Sequence, residues 1–308
     1  MSFGTDIDFC IPAIGAGACY LEYLISNLKR TARYPERIRI FVSYHTDEDR
    51  AQIEALSCAE NIHEFVKVQT TNSVIFPASS RHSSAINGLA EKCSSDIIVF
   101  CDYDMAFLMP DWDLVISRRL CLEGVDIFGV PYPNLVLSNK FDKFGPLGWL
   151  NNVPLVKYQG IPNLSFLAMR RDLINSCFLD SKITLFDRYL AEGNIPFRII
   201  STQALAIQNR IPIGNVQWLD TGYEIPEIVE RFGLRHEVLS YRRLADQAVF
   251  AVVEPFMQLD PGRQPEFFYH GLRPFICHFK KGSQKAQNGT SQELFDLFIS
   301  NVERSLGG

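Results

Sequence analysis

Through residue 101, short apolar runs bounded by polar residues alternate with apolar stripes at helical spacing. Asp6–Ile14 reads as a first strand, stopped by Pro12 and the glycines after it. Leu21, Leu24, Ile25 and Leu28 then share one helical face. Arg37–Ser43 predicts a second strand, ended by Tyr44-His45-Thr46-Asp47. A helix through Ile53 and Leu56 follows, and Phe65–Gln69 is expected as a third strand. Asp47-Glu48-Asp49 suits a helix cap better than a metal cluster. Ile86, Leu89, Ala90 and Cys93 mark another helix, expected to start at Ser83 with Arg81 and His82 just before it. Ile97–Cys101 is apolar throughout, as in a fourth strand buried on both faces. Such alternation predicts an α/β fold, its sheet largely parallel with right-handed crossovers.

Beyond residue 104 the pattern loosens. Pro110–Leu122 reads as a helix and Val125–Val130 as a strand. Residues 131–162 mix Pro, Asn, Gly and aromatics without periodicity, as a functional loop or acceptor wall does. Leu164–Met169 restores a strand, and Arg171 opens a short helix. Ile225, Ile228, Val229 and Phe232 predict an amphipathic helix closed by Gly233. After Glu237 the signal stays weak until Phe275-Ile276-Cys277-His278-Phe279. Thr290 and Glu293 form a capping box for a terminal helix through Leu294, Leu297, Phe298 and Val302.

The 308 residues suffice for a sizeable core, and no repeat or linker divides them. A formal net charge of −5 argues against a nucleic-acid surface, which needs concentrated positive potential. No run is long enough to span a membrane and no signal pattern opens the chain, so a soluble, cytoplasmic protein is expected. Eight cysteines occur without a Cys-x-x-Cys unit, which points to reduced thiols packed as small hydrophobes.

The candidate chemistry begins where the fourth strand ends. Asp102-Tyr103-Asp104 places two carboxylates at the carboxyl edge of a buried strand, where open α/β sheets form their ligand crevice. Two acids there can bind a hard divalent cation that in turn holds a phosphate-bearing substrate. Solvated turn acids are the plain alternative. Gly15-Ala16-Gly17-Ala18-Cys19-Tyr20 fails the dinucleotide fingerprint at its sixth position and reads as a glycine-rich turn into a helix.

The order of these pieces resembles the GT-A fold of nucleotide-sugar glycosyltransferases, particularly the family 2 type. The matching residues are Ile11-Pro12-Ala13, Ser43-Tyr44-His45-Thr46, Ala85-Ile86-Asn87-Gly88-Leu89, Asp102-Tyr103-Asp104 and Pro110-Asp111-Trp112. The resemblance is good over residues 6–120 and looser beyond. It implies a Rossmann-like, mixed, mostly parallel sheet flanked by helices. It also implies one domain over 1–308, with a nucleotide-sugar-binding half (1–104), an acceptor half (105–235) and a carboxy-terminal lid and helix (236–308).

The resemblance further implies Mn2+ or Mg2+ bridging the diphosphate of a UDP- or GDP-sugar, with transfer to a glycan or lipid-linked hydroxyl in polysaccharide biosynthesis. Asp104 would ligate the metal directly, and Asp102 would contact the ribose or a metal-bound water. Pro12, Ala13, Ser43 and Tyr44 would line the nucleoside pocket. His278 would be a further metal ligand, with His270 its competitor, and Lys280 and Lys281 would belong to a lid over the diphosphate. Arg81 and His82 could contact that diphosphate. Asp220 is the choice for catalytic base in an inverting transfer, with Asp187 and Glu192 in reserve. It stands in Leu219-Asp220-Thr221-Gly222-Tyr223-Glu224, without the family's Glu-Asp pair, and could instead cap the following helix.

Two other readings compete. A sugar-phosphate nucleotidyltransferase needs a basic, glycine-rich loop after the first strand, and residues 12–19 hold no Lys or Arg. A non-catalytic sugar-nucleotide-binding scaffold would keep the fold without turnover.

Overall fold

The computed structural model describes residues 5–13, 17–68, 77–131, 160–174, 176, 225–242, 265–279 and 292–306. Its centre is a seven-stranded sheet in the order β3-β2-β1-β4-β7-β6-β8. The strands are β1 Ile7–Pro12, β2 Ile38–Tyr44, β3 Ile62–Lys67, β4 Ile97–Cys101, β6 Ile127–Pro131, β7 Pro162–Arg170 and β8 His236–Val238. All neighbours are parallel except around β7, which runs against β4 and β6. The sheet is therefore mixed and mostly parallel, as expected. A four-stranded antiparallel sheet is built from β5 Met105–Phe107, β9 Ser240–Arg242, β10 Glu266–His270 and β11 Arg273–His278.

Alternation along the parallel strands divides the interior into two layers. Ile7, Phe9 and Ile11 of β1 face one way, with Ile40 and Val42 of β2 and Ile97 and Val99 of β4. Helix α1 (Ala18–Thr31) covers that face with Tyr20, Leu21, Leu24, Ile25 and Leu28. Cys10, Phe41, Ile98 and Phe100 face the other way, beneath Ala85, Ile86, Leu89 and Ala90 of α3 (Pro77–Lys92). Both faces of β4 are thus buried, which is why its sequence is uniformly apolar. The same alternation carries Asp8 inward, where its carboxylate is fully buried. Arg39 donates to it from Nε and Nη2, both at 2.8 Å, and the Ser94 and Ser95 amides donate at 2.7 and 2.9 Å.

The loosest sequence signals fall where boundaries differ. The third strand is Ile62–Lys67, earlier than Phe65–Gln69. It is an edge strand with exposed His63 and Lys67, so its sequence lacks a continuous apolar run. Helix α3 starts at Pro77, so Arg81 and His82 lie within it rather than ahead of it. Proline suits a first helical turn, where its missing N–H costs nothing. The helix expected over Pro110–Leu122 is α4 (Trp112–Ser117) followed by a π-helical turn, Arg118–Leu122. Strands β5, β8, β9 and β10 were not foreseen. The predicted helix is present as Ile225–Phe232, and a terminal helix runs Gln292–Leu306. Of the segment expected as a loop over 131–162, Pro131 ends β6 and Pro162 opens β7, while residues 132–159, Asp187, Glu192, Asp220, Lys280, Lys281 and Thr290 lie outside the described residues.

Among the described cysteines, Cys10, Cys58, Cys93, Cys101 and Cys277 are buried free thiols, while Cys19 is half-buried and Cys121 exposed. No described helix is long and apolar enough to cross a membrane.

Candidate functional site

Beyond Cys101 the chain leaves β4 at its carboxyl end. The Asp102 amide still donates to the Ser165 carbonyl of β7 at 2.8 Å, so the turn that follows starts from a fixed point. Tyr103 falls on the α1 face and Asp102 on the α3 face, continuing the alternation of the strand. Tyr103 is buried against Gly17, where an added Cβ would stand 2.3 Å from its ring carbon Cε2. The glycine lets the amino end of α1 pack directly on the turn between the two aspartates. This is the physical use of Gly17, and only sterics in three dimensions expose it.

Asp104 then leads into β5, an edge of the second sheet. Asn27 of α1 brackets β5, donating from Nδ2 to the Phe107 carbonyl at 3.1 Å and accepting from the Phe107 amide at 2.6 Å. β5 pairs with β11 in a register that sets Met105 opposite His278. The Phe279 amide donates to the Asp104 carbonyl at 2.7 Å and closes the junction. A histidine remote in sequence is thereby placed against the Asp-x-Asp turn, with Nε2 3.2 Å from Asp104 Oδ1.

Asp102, Asp104 and His278 each offer a ligand atom, and these atoms lie within 4.8 Å of one another. Asp104 and His278 are largely buried, whereas Asp102 is about a quarter exposed, at 28% of its side chain. Burial disfavours the charged imidazole, but the carboxylates of Asp104 and then Glu266 outweigh it and lift His278 to about 10. The raised basicity of His278 marks the negative potential that Asp104 and Glu266 create at this point, a potential that favours a cation. Two carboxylate oxygens and an imidazole nitrogen suit a divalent cation of the Mn2+ type, and the cluster fits the metal that the sequence implied. Sulfur takes no part: burial, with the nearby Asp102 and Asp104 charges, pushes the Cys101 thiol well up.

Two side chains around the cluster extend it. His82 of α3 reaches Asp102 Oδ1 from Nε2 at 3.3 Å and is itself about one-third exposed. Glu266 of β10 stands across the register from His278 and accepts from its Nδ1 at 3.2 Å. Sequence reading passed over Glu266. The available signal was a lone acid heading the apolar run Phe267-Phe268-Tyr269.

The remaining expectations divide. His270 is drawn away from the cluster, because Arg119 Nη2 donates to its Nε2 at 2.8 Å. Burial and the Arg119 charge lower its basicity. Pro12 and Ser43 pair across β1 and β2 at the carboxyl end of the sheet. The buried Ser43 Oγ has no hydrogen-bond partner among the described residues. Ala13 and Tyr44 are buried on the opposite, α1 face. Arg50 lies 5.5 Å above the Tyr44 ring. Asp47-Glu48-Asp49 opens α2 (Asp47–Glu54) as expected, in a reciprocal capping box with Thr46. Arg81 lies on α3, one residue before His82.

No family model matches the chain, and no curated protein matches it. Solved structures are similar at low identity. A mannosyltransferase from Pyrobaculum calidifontis, in complex with GDP-Man and Mn2+, is 12% identical with a TM-score of 0.44. That likeness covers 77% of this chain and 55% of the mannosyltransferase. Glucosyl-3-phosphoglycerate synthase from Mycobacterium tuberculosis is 19% identical with a TM-score of 0.36, covering 56% of this chain and 60% of its own. Mouse xyloside xylosyltransferase 1, in its apo form, is 12% identical with a TM-score of 0.44, covering 77% of this chain and 85% of its own. The chain thus spans between about half and three-fifths of the length of the first two.

Proposed function

We propose that this protein is a metal-dependent glycosyltransferase of the GT-A type, moving a sugar from a UDP- or GDP-sugar to a hydroxyl of a glycan or lipid-linked acceptor. The observation that carries the reading is the convergence of Asp102, Asp104 and His278 at the carboxyl end of β4. Asp104 and His278 would hold the cation from a largely buried position, with Asp102 on the exposed side. When bound, a divalent cation supplies Lewis-acid stabilisation of the leaving diphosphate, worth several kcal/mol. The imidazole among the donors favours Mn2+ over Mg2+, because nitrogen ligands suit the former better.

The chain's own groups would do the rest. Pro12 and Ser43, paired at the carboxyl ends of β1 and β2, would line the nucleoside pocket together with Ala13 and Tyr44 from the α1 face. His82 and Arg81 on α3, with Lys281 from the carboxy-terminal segment, would face the diphosphate. Asp220 would accept the proton of the acceptor hydroxyl as its oxygen attacks the anomeric carbon. The sugar–phosphate C–O bond then breaks, its electron pair leaves with the nucleoside diphosphate, and the configuration inverts. Such a base contributes roughly 10²–10⁴-fold. A cytoplasmic role in polysaccharide assembly is the setting we favour.

A thermal-shift series tests the reading directly. Nucleoside diphosphates and their sugars, each with and without Mn2+, should raise the melting temperature only when the cation is present. One base should outperform the others, and slow Mn2+-dependent hydrolysis of that sugar nucleotide should follow. A cation-independent shift, or a folded Asp104→Ala variant with full activity, would remove the metal from the proposal. Binding without any turnover would favour the scaffold reading.

A further inference from the structure

A buried carboxylate stands behind the histidine of the metal centre. Glu266 is 9% exposed and belongs to β10, a strand that contributes no ligand to the cluster. A carboxylate held out of water costs free energy unless a hydrogen-bonded partner compensates it. Its register opposite His278, and the 3.2 Å between Oε2 and Nδ1, give it that ring as a partner. The opposite ring nitrogen, Nε2, faces Asp104 at 3.2 Å. The imidazole is thus fixed at both nitrogens, by Glu266 from β10 and by Asp104 from the turn before β5.

We propose that Glu266 is a positioning residue, fixing the tautomer and ring plane of His278 for cation binding. This role rests on the metal reading above. A neutral imidazole has one protonated nitrogen, and only the other can ligate. By accepting the Nδ1 proton, Glu266 keeps that proton away from the cluster and turns the Nε2 lone pair toward Asp102 and Asp104. The arrangement is rigid because β10 and β11 are hydrogen-bonded neighbours, so acid and imidazole are carried by one antiparallel pair. The added negative charge also makes the ring a stronger donor. Carboxylates behind metal-bound histidines act in this way, and their loss weakens metal binding by about 10–100-fold.

The test measures Mn2+ affinity by the paramagnetic resonance of free Mn2+, without substrate, on wild-type protein, Glu266→Ala and Glu266→Gln. The nitrogen-15 resonances of His278 in the Zn2+-loaded proteins then report which ring nitrogen carries the proton. Glu266→Ala is expected to bind Mn2+ ~10–100-fold more weakly and to lose the preference for Nδ1–H. Glu266→Gln, whose amide oxygen still accepts that proton, should keep the tautomer and recover part of the affinity. A purely structural glutamate would move stability and leave the tautomer alone. Unchanged Mn2+ affinity in folded Glu266→Ala overturns this role and spares the metal reading. A wild-type protein that binds no Mn2+ overturns both. Where Glu266→Ala does not fold, the wild-type tautomer decides: Nε2–H in the Zn2+-loaded protein overturns the role, and Nδ1–H upholds it.

Discussion

Asp102 and His278 reach the same point from two regions built in opposite ways. Asp102 follows directly on β4, a strand buried on both faces within a parallel block whose helices follow in sequence. His278 ends β11, in an antiparallel sheet whose partner β5 lies far back in the chain. In the first region local pattern and tertiary position coincide, because each strand carries its own burial pattern and the crossover helices return the chain to one sheet, from β3 over β2 and β1 to β4 in the last case. In the second, a short edge strand and two backbone junctions do the placing. A site assembled across such a boundary draws its acids from the predictable region and its imidazole from the other.

The strongest way to break the comparison is at the meeting point. Asp104→Ala removes the carboxylate that faces His278 and that would hold the proposed cation. We expect transferase activity to fall on the order of a thousandfold or more, since several kcal/mol are at stake and each 1.4 kcal/mol is tenfold. Mn2+ binding should be lost with it. Retained Mn2+ binding in a folded variant would show that the two regions do not share a cation.

Asp8 and Asn27 sharpen the comparison from either side. Asp8→Ala removes the buried carboxylate, which strips Arg39 of its partner and leaves the Ser94 and Ser95 amides without their acceptor. Arg39 stays one-third exposed, so the expected cost is near the lower end for such pairs, about 3 kcal/mol by urea denaturation. Burial alone would raise the Asp8 pKa, but the bonds from Arg39, Ser95 and Ser94 hold it below the ordinary 3.8. This stabilisation is complete above that ordinary value and is lost as pH falls through the depressed one. Below about pH 4 the wild-type protein should therefore approach the Asp8→Ala variant in stability. A constant gap at all pH values would contradict the assignment. Because Asp8 sits near the amino end of β1, away from the metal cluster, Mn2+ affinity of the folded variant should not change.

Asn27→Leu attacks the junction instead. It leaves the Phe107 amide and carbonyl without their side-chain partners, at an expected cost of about 2–3 kcal/mol. Since β5 holds β11 in register, Mn2+ binding should weaken along with stability. Equal Mn2+ affinity in Asn27→Leu and Asp8→Ala would mean that the antiparallel sheet does not depend on this clamp. The smallest expected effect is Gly17→Ala. Its methyl would stand 2.3 Å from the Tyr103 ring, so the ring or α1 must shift, costing about 1–2 kcal/mol. Thermal unfolding with and without Mn2+ measures how much of that strain reaches the aspartates.

Strands β1, β2 and β4 and helix α1 were legible because consecutive residues carry their own periodicity. The reading of Asp102 and Asp104 followed from that, since the end of a doubly buried strand can be found from its sequence. His278 entered only through resemblance, as a histidine closing a short apolar run. Glu266 was missed, because its partner stands across a bulged hairpin rather than at a fixed sequence spacing. The expected amino-terminal position of His82 was wrong. Proline at 77 lengthened α3, and the residue reaches Asp102 from within the helix.

What the sequence by itself determined is the alternation that buries β1, β2 and β4 and sets two acids at a sheet edge. Periodicity is a property of neighbouring residues, and burial selects it directly. Only the tertiary structure decided which histidine meets those acids, which glutamate backs it, and why a glycine stands at 17. Each of these depends on register and clearance between segments distant in the chain, and no local pattern encodes such pairings.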